Sequence, residues 1–204
     1  MDFTGERVIP KLMRPDNQLL LEHQARYGFA TEFVNGRVLD IACGVGYGAE
    51  ILLAEAGNRI HGYVGVDVDS ASVQYAIENY WNSPKVDFLE GDALDKNLKS
   101  KIGMFDTIIS FETVEHLSDD YGFVENLYTL LNSEGKAIIS TPFGQGRGKP
   151  CGCEFHYHQY LEEEFFDILS CFNNVKMYYQ RNQIIERNKL QDKKYYLMVA
   201  ICEK

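Results

Sequence analysis

Five short apolar runs, spaced by helix-length amphipathic stretches, constrain this chain more than any other feature. They are Arg37 to Ile41, His61 to Val66, Val86 to Leu89, Phe105 to Phe111 and Lys136 to Thr141. A parallel return between strands needs a crossover of a dozen or more residues, and a helix supplies it. Phe105 to Phe111 is apolar almost throughout, which predicts a strand covered on both faces. Among the helices, Asp69-Ser70 caps one whose Val73, Ala76, Ile77 and Tyr80 share a face. Another starts at Asp119 or Asp120, buries Phe123, Val124, Leu127, Leu130 and Leu131, and stops at Asn132 to Gly135. Further helices are predicted from Pro15-Asp16-Asn17 to the stop at Asn35-Gly36, over Ala49 to Glu55, and over Leu161 to Ser170. Asn174 to Tyr179 and Lys194 to Cys202 read as closing strands whose polar connection suits an antiparallel hairpin. The expected fold is a Rossmann-like α/β architecture: a mostly parallel seven-stranded sheet, helices on both faces, and an antiparallel C-terminal hairpin.

Charge and length narrow the function. The 204 residues carry 20 Lys+Arg against 30 Asp+Glu, a formal charge of −10, and no basic run that would track a phosphate backbone. Nucleic acid is not expected as a partner. Uncharged apolar stretches such as Tyr195 to Cys202 are strand-length, well short of the roughly 20 residues of a membrane span. Met1 to Pro10 mixes acid, base and Gly and does not read as a signal peptide. Five scattered cysteines fit reduced thiols, so a cytoplasmic protein is expected. One domain fills the length, with an N-terminal lid and helix (1–35), a cofactor-binding core (36–142), and an acceptor-pocket loop with the hairpin (143–204).

The first run ends in Cys43-Gly44-Val45-Gly46-Tyr47-Gly48, and Gly44-x-Gly46-x-x-Ala49 fits a dinucleotide fingerprint in its Ala-ended form. Asp67, about twenty residues on, could bond ribose hydroxyls. An NAD(P)-dependent oxidoreductase is therefore one reading, and a plain tight corner is another. Asp40 points elsewhere. A carboxylate inside a buried strand needs donors or a cation. S-adenosylmethionine offers an ammonium and a sulfonium and has no pyrophosphate.

Four motifs in order carry a resemblance to the class I S-adenosylmethionine-dependent methyltransferases. They are Val38-Leu39-Asp40-Ile41-Ala42-Cys43-Gly44-Val45-Gly46-Tyr47-Gly48, Gly65-Val66-Asp67, Phe88-Leu89-Glu90-Gly91-Asp92-Ala93, and Phe105-Asp106 through Phe111-Glu112-Thr113-Val114-Glu115-His116-Leu117. Phe3 to Pro10, Glu22-His23 to Arg26-Tyr27, Ser140-Thr141-Pro142 and Phe155-His156-Tyr157-His158 extend it over almost the whole chain. The chain looks like a bacterial subgroup of small single-domain methyltransferases associated with glycan or small-molecule biosynthesis. The resemblance implies S-adenosyl-L-methionine as cofactor and S-adenosyl-L-homocysteine as product. It sets Asp40, Ala42, Gly44 and Gly46 around the methionine end, Asp67 at the ribose, and Val68, Asp92 and Ala93 at the adenine. It sets Phe111 and Glu112 beside the sulfonium. The leader and Arg26-Tyr27 would close as a lid, Arg26 or Tyr27 addressing the cofactor carboxylate; a helix packing its aromatic face on the core is the plainer alternative.

Methyl transfer is an in-line displacement in which positioning supplies much of the rate, and a base is needed only where the nucleophile holds its proton. His116 is the candidate base with Glu112 as a second catalytic candidate, and only one of Glu112 and Glu115 is expected to share its face; alternatively His116 orients a loop or caps a helix. The Gly-rich segment from Phe143 onward is expected to shape the acceptor pocket, with Phe143 and His156 facing it. Cys151-x-Cys153 and His156-x-His158 invite a zinc reading. Their spacing is shorter than in structural zinc sites and the resemblance gives the histidines another role, so no metal is expected. Glu162-Glu163-Glu164 reads as an acidic first turn of a helix. The expected partner is a small-molecule or glycan acceptor, bound by a monomer or homodimer. A cofactor-binding protein without catalysis is the remaining alternative.

Overall fold

A computed structural model describes residues 7–152 and 155–204. Its strands form one eight-stranded sheet in the order β3-β2-β1-β4-β5-β8-β6-β7. β1 (Gly36–Ile41), β2 (Ile60–Asp67), β3 (Val86–Glu90), β4 (Phe105–Phe111) and β5 (Leu131–Pro142) run parallel. β8 (Leu197–Glu203) is antiparallel to both β5 and β6 (Asn174–Arg181) and lies between them, while β7 (Ile184–Glu186) hangs on the outer edge of β6.

Side chains alternate across the strands, so the sheet divides two apolar layers. Val38, Tyr63, Ile109, Ile138, Val199 and Ile201 pack under α1 (Gln18–Ala30), α2 (Gly48–Ala56) and α3 (Ser70–Tyr80). Leu39, Val64, Ile108, Ile139 and Met198 face the opposite layer of α4 (Leu98–Ile102), α5 (Asp120–Leu130) and α6 (Glu162–Ile168). The expected caps form: Asn17 accepts from Leu20, Asp69 from Ala71 and Asp119 from Gly122. No helix among the described residues is long and apolar enough to cross a membrane.

Three departures have physical causes. β7 is an eighth strand of three residues, too short to leave a periodic signal. α4 is five residues long and has the same difficulty. Asn132 to Gly135 is more than a stop, because Leu131 already pairs with Phe105 and the strand then turns through Glu134 at φ 62° before resuming register at Lys136. The predicted closing strands do pair antiparallel, with Val175 opposite Cys202.

Chain order reverses between β1 and β4, since β1 leads to β2 on one side and β4 to β5 on the other. Parallel sheets open a crevice at the carboxyl ends of the strands at such a point.

Candidate active site

That crevice is a cavity of about 520 Å³. Its walls follow the sheet: Asp67 at the end of β2; Ala42, Cys43 and Gly44 after β1; Phe111, Glu112, Glu115 and His116 at and after β4; Pro142 at the end of β5. Tyr27 and His23 on α1, with Arg7, Val8 and Leu19, form the cover, and Phe155 and His156 close the β5 side. Neighbouring strands lie about 4.8 Å apart, so the four strand ends span about 14 Å, room for an elongated ligand.

The turn after β1 is left-handed at Ala42 (φ 59°), Gly44 (φ 56°) and Gly46 (φ 80°). The two glycines serve different ends. A Cβ on Gly44 would meet nothing within 4 Å, so this backbone stays open toward the cavity. A Cβ on Gly46 would strike the Ala76 methyl and the Phe88 ring, both at 2.6 Å, so Gly46 lets the turn settle on α3 and β3. Asp67 holds the turn, accepting from Gly44 N through Oδ2 at 2.8 Å and from Asp69 N through Oδ1 at 2.9 Å. Arg7 pairs with Asp69 at 2.7 Å and ties the leader to the start of α3. Of the leader expected to close as a lid, residues 1–6 lie outside the described residues.

Asp40 is 1% exposed and sits behind the cavity wall. Its Oδ2 accepts from the Tyr63 hydroxyl at 2.6 Å and the Tyr27 hydroxyl at 2.9 Å. Burial pushes its pKa up to about 7, against the two phenol hydrogen bonds that lower it. A carboxyl raised above its unfolded pKa contributes stability that is full below about 3.8 and is lost as pH rises through about 7. Asp40→Asn therefore gains on the wild type as pH rises across that window, and urea unfolding at pH 5 and pH 8 should show the difference moving in the variant's favour. A constant difference would mean that Asp40 is ionised in the fold throughout.

At β4 the carboxylate of Glu112, itself left-handed at φ 49°, pairs with Arg26 and with His23 Nε2 at 2.7 Å. Tyr47 Oη lies 3.2 Å from His23 Nδ1, and Arg26 Nη1 donates to Gln180 Oε1 at 2.8 Å. Burial would raise the Glu112 pKa, but Arg26 and His23 outweigh it and hold the group down at about 2. Glu112 is thus an ionised anchor and a poor proton acceptor. Of the two residues expected to address the cofactor carboxylate, Tyr27 lines the cavity and Arg26 does not: Arg26 is 1% exposed and bonded to Glu112 and Gln180. Glu115 and Glu112 both line the cavity, and it is Glu115 whose carboxylate lies near the His116 ring. Burial and the Glu112 charge raise the Glu115 pKa to about 8.

His116 Nδ1 lies 2.9 Å from the Phe155 carbonyl, and its ring meets His156 edge-on at 4.6 Å. Phe143 is not in the wall. Pro142 lines the cavity, so the next residue points away, and Phe143 stacks on Tyr179 at 6.3 Å beneath Lys189. Val68 is 70% exposed beside the β2 end. Asp92 accepts from Leu94 N in its own turn, and the Ala93 carbonyl accepts from Asn126. None of the three lines the cavity, although Gly91 N bonds Asp67 O at 2.9 Å and sets their turn against it. The zinc quartet is not assembled as drawn: His158 Nε2 turns to Ser118 O at 3.3 Å, Cys151 Sγ lies 3.7 Å from His156 Nδ1, and Cys153 lies outside the described residues. Tyr160 and Arg147 both bond the buried Asp120, which pins the ends of this Gly-rich loop.

Sequence reasoning left His23 and Tyr47 without roles and gave Arg7 only its place in the leader. A signal for His23 existed, since His23, Arg26 and Tyr27 at spacings of three and four share one helix face.

Comparison with known proteins supplies names for this arrangement. Residues 39–139 match the family described as "Methyltransferase domain". A probable S-adenosylmethionine-dependent methyltransferase of Mycolicibacterium smegmatis is 32% identical over 83% of this chain and 63% of its own length. One of Mycobacterium tuberculosis is 29% identical over 83% of this chain and 60% of its own. The chain thus spans about three fifths of the length of these curated relatives. Among solved structures, an S-adenosylmethionine-dependent methyltransferase of Aquifex aeolicus superposes with a TM-score of 0.64, 20% identity and 95% coverage of both chains. The N-methyltransferase NodS of Bradyrhizobium japonicum, solved with S-adenosyl-L-homocysteine, gives 0.64 at 15% identity, covering 93% of this chain and 89% of its own.

Proposed function

Since the chain belongs to the methyltransferase-domain family of class I S-adenosylmethionine-dependent proteins, we propose that its cavity binds S-adenosyl-L-methionine and directs methyl transfer to a hydroxyl or amine of a small molecule or glycan precursor. Family membership displaces the dinucleotide reading of the glycines. The observation that carries the proposal is the order of groups along the carboxyl edge. A carboxylate at β2 is followed by open backbone at Gly44 and by a fixed negative charge at Glu112. That sequence suits a ligand with ribose hydroxyls at one end and positive charge at the other. Asp67 would take the ribose, Ala42 and Gly44 the methionine chain, and Val68 with the Asp92–Ala93 turn the adenine at the open β2 side. Asp40 acts through Tyr27, whose ring faces the cavity while its hydroxyl is held by Asp40.

When bound, the cofactor supplies a methyl group on a sulfonium, a leaving group that needs no protonation. The chain's own residues orient the acceptor and deal with its proton. A carbonyl only accepts, so His116 Nδ1 carries the hydrogen toward Phe155 O, and in the neutral ring Nε2 keeps the lone pair. Nε2 is the group that engages the acceptor's proton. Glu112 contributes charge, and its ion pairs keep it from serving as a base.

Isothermal calorimetry with S-adenosyl-L-homocysteine tests the reading. One site is expected, weakened about 10- to 100-fold in Asp67→Ala, the loss of charge-assisted hydrogen bonds worth roughly 1.5–3 kcal/mol. No heat and no thermal shift at millimolar ligand would refute cofactor binding.

A further inference from the structure

The β5 end of the cavity holds a donor set that methyl transfer to an acceptor does not by itself explain. Glu115, His116 and His156 each bring one ligand atom to within 4.8 Å of the others. Glu115 is 1% exposed, and while its Oε2 accepts from Thr141 Oγ1 at 3.0 Å, its Oε1 has no hydrogen-bond partner. A buried carboxylate oxygen without a donor is costly, and a residue in a cavity wall with such an atom calls for something to be placed against it. A cation bound there would satisfy it, with both imidazoles as further ligands.

The imidazole beside it is prepared for the same ligand. His116 Nδ1–H is fixed on the Phe155 carbonyl, the outer contact that metal-binding histidines use to lock their tautomer, so the Nε2 lone pair is committed. The two rings stand at 85° with centroids 4.6 Å apart, so both can present an edge to a shared point. Ligand atoms around a tetrahedral ion with bonds of about 2.0–2.1 Å lie about 3.4 Å apart, so the set needs to tighten by up to about 1.4 Å. His156 belongs to no helix or strand, so of the three ligands it is the one placed to make that adjustment.

We propose that Glu115, His116 and His156 form a site for one divalent transition cation of the zinc, manganese or cobalt type, with its remaining coordination positions facing the acceptor. Two imidazoles and one carboxylate are the donors of open sites for such ions, and they leave room for exchangeable oxygen ligands. The inference rests on the methyltransferase reading and narrows it. With an ion in place, His116 Nε2 is a ligand instead of the proton acceptor. A hydroxyl bound to the ion has its pKa lowered and gives its proton to water. The resulting alkoxide forms the new C–O bond as the methyl–sulfur bond breaks and its electron pair passes to sulfur. The acceptor class that fits is a hydroxyl with a second oxygen beside it, such as a vicinal diol or an α-hydroxy acid, which can chelate the ion. Amines lose their place as preferred acceptors.

The test uses the full chain freed of metal by chelator dialysis. Zn²⁺ is titrated alone against a chromophoric chelator, Mn²⁺ alone by electron paramagnetic resonance, and S-adenosyl-L-homocysteine is titrated by calorimetry on the same preparations. One equivalent of either ion is expected. Glu115→Gln, His116→Ala and His156→Ala should each weaken it at least about 100-fold, beyond the loss expected of an outer-shell partner. Exposed His61→Ala and Cys151→Ser should leave it unchanged. Cofactor-product binding with no ion bound overturns the cation site and leaves the methyltransferase reading standing. Ion binding that depends on Cys151 and ignores Glu115 also overturns it. Failure of S-adenosyl-L-homocysteine to bind to folded protein counts against the function itself.

Discussion

Arg26→Met is expected to cost the folded state about 3 to 5 kcal/mol, measured by urea unfolding at neutral pH. Arg26 is almost wholly buried and connects Glu112 to Gln180. Methionine fills much of the space but leaves the Glu112 carboxylate with His23 alone and strands the Gln180 oxygen, and breaking a buried pair from one side costs in this range. The double variant Arg26→Met/Glu112→Gln should recover part of the loss, because the uncompensated charge goes too. Acid gives an independent check. Glu112 has its pKa lowered from 4.5 to about 2, so its stabilisation is fully present above about 4.5 and is lost as pH falls toward 2. Glu112→Gln should therefore trail the wild type at pH 7 and approach it near pH 2 to 3. An Arg26→Met loss below 1 kcal/mol would show that the network is ornamental to stability.

The second large effect belongs to Gly46. Gly46→Ala places a methyl 2.6 Å from Ala76 Cβ and from the Phe88 ring, at a φ of 80°. Left-handed backbone costs an L-residue about 1–2 kcal/mol, and overpacking about 1–3 kcal/mol more, so a loss of roughly 2 to 5 kcal/mol is expected. Gly44→Ala is the informative partner. Its new methyl enters open space, so the strain term alone acts on stability, while the cavity loses room. The pair should separate cleanly, Gly46→Ala in unfolding midpoint and Gly44→Ala in affinity for S-adenosyl-L-homocysteine. Equal losses of stability would contradict the division of roles.

Much of this was legible because apolar periodicity and capping act locally. β4 begins and ends where its nearly continuous apolar run does, and α3 and α5 start beside their aspartates. The Asp67 and Gly44 pairing follows from a strand–turn–helix motif whose geometry is set by neighbours in sequence. What stayed hidden depends on contacts across long separations. That Arg26 is consumed by Glu112 and Gln180 involves partners 86 and 154 residues away. That Asp40 finds two phenols instead of facing the cavity depends on Tyr63 standing on the adjacent strand and Tyr27 on a covering helix. Phe143 illustrates a subtler limit: a shift of one residue along an extended chain exchanges faces, so Pro142 reached the cavity and its neighbour did not.

The position of β8 bears on how the molecule comes into being. It lies inside the sheet, paired on both sides, yet it is the last of the eight strands to be synthesised. Until it emerges, β5 has an open edge and β6 has no inner neighbour, so the nascent chain exposes unpaired strand edges that invite association with other chains. The parallel half, β1 to β5, can dock helix by helix as it leaves the ribosome. Closure then waits on the final strand, whose residues 197–203 lock both flanks at once.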